Sequence, residues 1–230
     1  KHEAVLIDGG NNGKGSIVLA YLKKEGIADI DYLIATHPDA DHIGGLDEII
    51  DGFPVTVVYD NGESKTTKTY SDYLSRAQKS DYEVVKMGFS FTLDGVNFQV
   101  LHPSSSFKTD VNENSVVIRA TYGNVDFLFT GDCEHSCEQD LLNSGAILDS
   151  EILKVGHHGS KTSTSNLFLN AVSPEVAVIS VGDGNRYGHP HQETLDKLAS
   201  VESYRTDLHG TIVVETDGTG YTVLTGKTAT

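Results

Sequence analysis

Four side chains able to bind a metal ion lie within six consecutive positions: His37, Asp39, Asp41 and His42. The apolar run at 32–36 predicts a buried strand before them, and the apolar positions that follow have helical spacing. Strand ends and helix starts converge on an open crevice in α/β sheets. Imidazole suits zinc, and carboxylates tolerate harder cations. The pattern therefore favours a metal site over a solvated acidic turn with two incidental histidines.

Two later segments repeat this arrangement of a predicted strand followed by a metal-capable side chain. Asp132 follows the apolar run 127–129 and could bridge two cations, or could instead cap the next helix. His157 and His158 follow the predicted strand 152–155 in a turn flanked by glycines. Such a turn could bring one imidazole to a metal and point the other into the cleft.

Other polar side chains at predicted strand ends are candidates for supporting roles. Asp8 lies at the carboxyl end of the first predicted strand, and Lys154 and Ser160 could meet an anionic group. Candidates for substrate contact or proton transfer follow the predicted strand 176–180: Asn185, Arg186, Tyr187 and His189. His102 also follows a strand end, and its role is left open.

The two cysteines, Cys133 and Cys137, are four positions apart at the start of a predicted helix, which spans 134–142. At this spacing they share one helix face. We expect them to pack as small apolar side chains rather than to form a disulfide framework. A metal contact by Cys133 is the alternative.

The order of predicted elements defines an α/β fold in which two mixed β-sheets are flanked by helices. A β-α-β unit opens the chain and indicates parallel pairing. Short strands with two-residue turns at 94–95 and 123–124 predict an antiparallel middle third over 82–129. No linker or internal repeat divides the sequence. We therefore expect one domain over 1–230.

Composition limits the classes of partner. The chain has 230 residues and a formal net charge of −16, which counts against stable binding of duplex DNA. No apolar run approaches the roughly 18 residues needed to cross a bilayer. The sequence begins at Lys1 rather than methionine, and we expect it to be a processed or excised piece of a longer protein.

Taken together, these motifs resemble the metallo-β-lactamase superfamily. The segments His37-x-Asp39-x-Asp41-His42, Gly131-Asp132, Lys154-Val-Gly-His-His-Gly-Ser160 and Tyr187-Gly-His-Pro190 are similar to the hydrolase domain of ComEC-type DNA-uptake proteins and their stand-alone relatives. The resemblance implies an αββα sandwich with a metal site at one edge of the sheets.

By resemblance, His37 and Asp39 would hold a first metal ion, and Asp41 and His42 a second. Asp132 would bridge them, and His158, or else His157, would complete the second site. Two departures stand out. The Asp-Val-Gly-x-Gly-Asp segment with which this branch often opens, before the position of Leu6, is absent, and residues 112–115 lack a further expected histidine, so the first metal would be held weakly, or partly by water and an asparagine. Asp39 also takes the place of the second histidine in the usual His-x-His-x-Asp-His signature. We therefore expect one or two divalent ions, zinc or manganese.

The predicted function is that of a metal-dependent phosphodiesterase or nuclease that cleaves single-stranded DNA in a competence-type setting. A divalent ion would supply hydroxide from its bound water. Asp41 would also orient the attacking water, His157 or His189 would protonate the leaving oxygen, and Lys154 would fix a carboxylate ligand.

Two alternatives stay open. One is a phosphodiesterase of cell-wall or small-molecule esters, similar to choline-phosphate esterases. The other is a non-catalytic metal-binding module of a surface protein. The resemblance also suggests a bacterial extracytoplasmic or membrane-associated location, within a larger membrane or surface protein.

Overall fold

A computed structural model describes residues 3–227 of the chain. The contacts within it define two compact units. The first contains the described residues up to Lys86, together with Ser104–Val116. The second contains Met87–Pro103 and the described residues from Val117 onwards.

The first unit is built on a sheet in which all neighbouring strands are parallel, in the order β1-β2-β3-β4. Its elements follow one another as β1 (Val5–Ile7), α1 (Gly15–Lys24), β2 (Ile30–Ala35), α2 (Ala40–Ile43), α3 (Leu46–Gly52), β3 (Val55–Asp60), α4 (Lys68–Ala77) and β4 (Asp81–Val84). A core of buried apolar side chains includes Leu33, Ile43, Leu46, Val58 and Tyr73. The buried central strand thus ends directly before the His37–His42 segment, as the sequence predicted.

The prediction for the start of the middle third was wrong. Strand β4 was expected to join the antiparallel part, but it pairs in parallel with β3. Its register places Tyr82 beside Val58, and the Tyr82 hydroxyl donates to both carboxylate oxygens of Asp60 at 2.8 Å. The direction of this short strand depends on its pairing with β3, from which α4 separates it in the sequence. No local turn motif in the sequence indicates that pairing.

The second unit carries a mixed sheet in the order β11-β10-β9-β8-β7-β6-β5. Strands β8 to β11 run parallel, whereas β5 to β8 run antiparallel. Its elements are β5 (Ser90–Leu93), β6 (Val96–His102), β7 (Val117–Tyr122), β8 (Val125–Phe129), α5 (His135–Ser144), β9 (Ile152–Lys154), α6 (Asn166–Val172), β10 (Val176–Ile179), α7 (Gln192–Lys197), β11 (Glu202–Arg205), α8 (Thr206–His209), β12 (Ile212–Thr216) and β13 (Tyr221–Thr225).

The core of this unit joins the sheet to helices α5 and α6 through side chains such as Leu128, Leu141, Leu153, Phe168 and Ile179. Strands β12 and β13 form a separate antiparallel hairpin. The sequence prediction missed β11 and α8. Strand β11 is polar because it is an edge strand, so it lacks the apolar pattern of a buried one.

The cysteine prediction was wrong as well, because Cys133 and Cys137 form a disulfide. Cys133 precedes α5, and its N–H donates to the Thr130 carbonyl in a turn. The two Cα atoms are 5.4 Å apart, within the range that a disulfide spans. Both residues are almost completely buried, so the bridge fixes the start of the helix from inside the unit.

The α/β fold class with sheets flanked by helices is confirmed. The single-domain organisation stays a prediction. Among residues 3–227, no helix combines the length and apolar character needed to cross a membrane.

Candidate metal centre

The segment from His37 to His42 is held in place by close backbone packing. Helix α2 is followed by Gly44, where a Cβ atom would lie 2.3 Å from the backbone nitrogen of Asn12. At Gly45 a Cβ atom would lie 2.3 Å from the Gly9 carbonyl oxygen. Only glycine allows this approach. The His37–His42 segment therefore docks against the loop that follows β1, which also carries Asp8.

Asp8 connects this loop to His42. Its carboxylate accepts hydrogen bonds from the N–H and the hydroxyl of Thr36, each at 2.8 Å, and from Nδ1 of His42 at 2.6 Å. Burial acts to raise the pKa of Asp8, but the His42 imidazole and these hydrogen bonds outweigh it, so the pKa lies below its ordinary value. Because Nδ1 of His42 donates to Asp8, the lone pair of the neutral imidazole is on Nε2.

The other predicted ligands of this segment differ in their surroundings. His37 is buried, and its Nδ1 is 3.1 Å from the Thr36 hydroxyl. The ring centroids of His37 and His42 are 4.2 Å apart. Asp41 is half-buried in the first turn of α2. Asp39 precedes that helix and forms an ion pair with Lys65, which the sequence analysis did not single out.

In the second unit, Asp132 is buried directly beyond the end of β8. The N-cap position of α5 is occupied by Glu134 rather than by Asp132. Its Oδ2 lies 3.7 Å from Nε2 of His157 and 3.6 Å from Nε2 of His158. The second unit therefore brings the three residues together around one carboxylate oxygen.

Both histidines of the pair have left-handed backbone conformations, with φ of 46° at His157 and 54° at His158. Such angles cost about 1–3 kcal/mol per residue and are concentrated at functional sites. Nδ1 of His158 donates to the Ser180 carbonyl at 2.7 Å, which leaves the lone pair on Nε2. Nδ1 of His157 donates to Glu134 Oε1, also at 2.7 Å. The sequence analysis missed Glu134, although it lies only two positions after Asp132.

His189 lies in a loop that Asn185 shapes. The Asn185 amide donates to the His189 carbonyl at 2.7 Å and accepts from the His189 N–H at 3.0 Å. The His189 ring contacts His157 edge-on at 5.4 Å and stacks on Tyr187 at 5.7 Å, both between ring centroids. Burial, followed by the charge of His157, lowers the pKa of His189 from 6.5 to about 4.

Three of the predicted supporting residues have defined surroundings in the second unit. The side-chain amide of Asn185 forms hydrogen bonds with the backbone of His189. Ser160 is buried, and its hydroxyl pairs with Thr162 at 2.8 Å. Lys154 lines an apolar cavity with Phe127 and others, and its buried Nζ makes no hydrogen bond to the described residues. Its expected contact with a carboxylate is therefore not formed.

The residue types fit a divalent cation. Among the described residues, the first unit offers Asp41 and His42 as metal ligands, and the second unit offers Asp132 and His158. In both histidines Nδ1 is bonded to oxygen, so each would offer Nε2 as the ligand atom. Imidazole and carboxylate ligands of this kind suit zinc and accept manganese or iron.

Comparison with known proteins agrees with this chemistry. The family profile described as the Metallo-beta-lactamase superfamily matches residues 1–183. The chain therefore belongs to the metallo-β-lactamase superfamily, as the motifs predicted.

Particular relatives include proteins of bacterial competence. The chain is 36% identical over 202 residues to ComE operon protein 3 of Bacillus subtilis (strain 168), which covers 85% of this chain and 26% of that protein. It is 33% identical over 198 residues to Competence protein ComA of Neisseria gonorrhoeae, again with 85% and 26% coverage. The chain thus spans only about a quarter of the length of these relatives.

Among solved structures, one similar fold is Tm1679, described as a metal-dependent hydrolase of the beta-lactamase superfamily. The TM-score is 0.57 at 15% sequence identity, over 88% of this chain and 85% of that one. This likeness concerns the fold alone.

Proposed function

We propose that this chain is a metal-dependent phosphodiesterase that cleaves single-stranded DNA. The observation that carries the proposal is that hydrogen bonds orient the imidazole rings of His42 and His158 as metal ligands. Each neutral imidazole donates from Nδ1 to an oxygen, which orients the ring and makes Nε2 the nitrogen that carries the lone pair. Membership of a superfamily of hydrolases supports a hydrolytic use of that ion.

The names of the relatives support DNA as the substrate. They include a competence protein and Recombination protein 2 of Haemophilus influenzae, which is 31% identical over 206 residues. The chain also offers a surface for an unpaired base. Tyr187 is 59% exposed, and the Arg186 guanidinium lies 4.9 Å from its ring centroid. Aromatic rings bind single strands by stacking, and arginine adds charge for the phosphate.

The metal ligands that we propose are Asp41 and His42 in the first unit and Asp132 and His158 in the second. When bound, the ion supplies a water of lowered pKa and positive charge for the phosphate oxygens. Asp41 would also hold the attacking water through its carboxylate.

His157 is the proton donor that we propose for the leaving oxygen. Its Nδ1 is held by Glu134, whose Oε1 also accepts the Thr162 hydroxyl at 2.8 Å. This support fixes the ring and directs Nε2 toward the side on which Asp132 lies, at 3.7 Å. A positioned imidazole of this kind typically contributes about 10²–10⁴-fold to a rate.

The disulfide between Cys133 and Cys137 supports an oxidising location, because such bonds persist mainly outside the cytosol. We therefore propose that the chain acts outside the bacterial cytoplasm, as part of a larger membrane or surface protein. Alkylation of denatured protein taken from its native host tests this placement. Unreactive cysteines are expected, and two reactive thiols would contradict it.

A substrate panel tests the proposed reaction. The purified protein, loaded in turn with manganese and zinc, is assayed with bis(p-nitrophenyl) phosphate, labelled single-stranded DNA, p-nitrophenyl phosphorylcholine and a chromogenic lactam. We expect cleavage of the first two, with loss of both in Asp132→Asn. The exposed Asp196→Asn variant is the control.

Other outcomes of the panel overturn parts of the proposal. Cleavage of the choline ester but not of DNA would replace the substrate class. Tight metal binding without turnover of any ester would favour a non-catalytic module.

A further inference from the structure

The carboxylate of Asp39 already has a cation beside it. The Lys65 ammonium donates a hydrogen bond to Asp39 Oδ1, and both side chains are about one-third exposed, at 34% for Lys65 and 30% for Asp39. Lys65 lies in the segment between β3 and α4. Asp39 is the residue that stands where the superfamily signature has its second histidine.

The segment that carries Lys65 is anchored on buried groups. The Asn61 side chain accepts the Glu63 N–H at 2.9 Å and donates to the Asn114 carbonyl at 2.9 Å. Glu63 in turn accepts a hydrogen bond from the Asn114 amide at 2.9 Å. Lys65 therefore starts from a fixed backbone two residues beyond Glu63 rather than from a free loop.

The Asn114 side chain is engaged in holding its own loop. Its side chain is almost completely buried, its Oδ1 accepts the Lys108 N–H at 2.8 Å, and its Nδ2 donates to Glu63 and to the Lys108 carbonyl. The side chain of this asparagine, which the sequence analysis considered as a possible ligand, instead forms hydrogen bonds that hold the loop. The oxygen that could have faced an ion is already bonded.

We propose that the Lys65 ammonium takes the place of one cation, so that the centre holds a single divalent ion. This inference rests on the proposed function, and it removes Asp39 from the set of metal ligands. A second dication at Asp39 would have to displace Lys65 or lie against its positive charge. The proposed ligands that remain are Asp41 and His42 in the first unit and Asp132 and His158 in the second.

The test is the number of ions bound per chain, measured by native mass spectrometry and elemental analysis after reconstitution with manganese. Wild type and Lys65→Arg, which keeps the cation, are expected to bind one ion. Lys65→Gln removes the charge and is expected to bind a second ion. Lys68→Gln, whose exposed lysine pairs with Asp72, is the matched control and is expected to bind one.

A second variant keeps the inference testable if Lys65→Gln does not fold. In Asp39→Asn we expect the count to stay at one and the manganese affinity to change less than threefold. Two ions on wild type, one ion on folded Lys65→Gln, or a tenfold loss of affinity in Asp39→Asn would each overturn the inference while leaving the proposed function intact. No bound ion on wild type would overturn both.

Discussion

At the scale of single residues, the chemistry depends on which nitrogen of each histidine faces an ion. His42 is oriented by Asp8 and His158 by the Ser180 carbonyl. The residue types and their spacing predicted the histidines, but the acceptors lie 34 and 22 positions away in sequence. Only the fold brings each acceptor to its imidazole.

Replacing Asp8 tests this orientation. In Asp8→Asn the amide would present hydrogens or a weaker acceptor to His42 Nδ1 and to the Thr36 hydroxyl, which now donate at 2.6 and 2.8 Å. We expect metal affinity to fall about 10–100-fold, the usual effect of losing such a partner. Titration calorimetry with manganese measures it, with the exposed Asp51→Asn as control. An unchanged affinity would contradict the role of Asp8.

Replacing Tyr187 tests the proposed stacking surface. Loss of one base–aromatic contact costs about 1–3 kcal/mol. We therefore expect kcat/KM for single-stranded DNA to fall in Tyr187→Ala, whereas that for bis(p-nitrophenyl) phosphate changes less than about twofold. Tyr21→Ala, at another exposed tyrosine, is the control. An equal loss on both substrates would argue against base stacking.

At the scale of elements, strand ends carry most of the candidate site. β2 leads into His37, β8 into Asp132 and β9 into the histidine pair, and apolar runs in the sequence were enough to predict these three strands. The parallel pairing of β4 and the disulfide at Cys133 were not predictable in this way. Both depend on partners or turns that local patterns do not encode.

Glu138 connects helix α5 to the loop after the histidine pair. Its buried carboxylate accepts the N–H groups of Thr164 and Ser165. Burial raises the pKa of Glu138 above 4.5, although these hydrogen bonds act to lower it. The folded protein thus keeps this proton to a higher pH than the unfolded chain does.

The sign of the resulting pH dependence follows from proton linkage. As pH rises from 4.5 through the raised pKa, the folded state binds more protons than the unfolded state, so the free energy of unfolding decreases. We expect the stability advantage of wild type over Glu138→Gln to be largest near pH 4 and to shrink by pH 7. Urea denaturation at both pH values measures it, with Glu193→Gln as control. A growing advantage would contradict this account.

At the scale of the whole molecule, a net charge of −16 repels a polyanion. Salt weakens this repulsion, since the screening length falls to about 8 Å at physiological ionic strength. We therefore expect KM for single-stranded DNA to decrease between low and physiological salt at constant manganese. Steady-state assays check this, with bis(p-nitrophenyl) phosphate as the small-substrate control. A KM that rises with salt would instead indicate a basic DNA-binding path.

The central claim is that this chain uses its own bound metal ion to cleave a DNA strand. The most direct measurement is single-turnover cleavage of end-labelled single-stranded DNA by manganese-loaded wild type, by metal-stripped protein and by Asp132→Asn. The account predicts cleavage by the loaded wild type alone, restored to the stripped protein when manganese returns. Equal cleavage by Asp132→Asn, or none by a wild type with its ion bound, would contradict it.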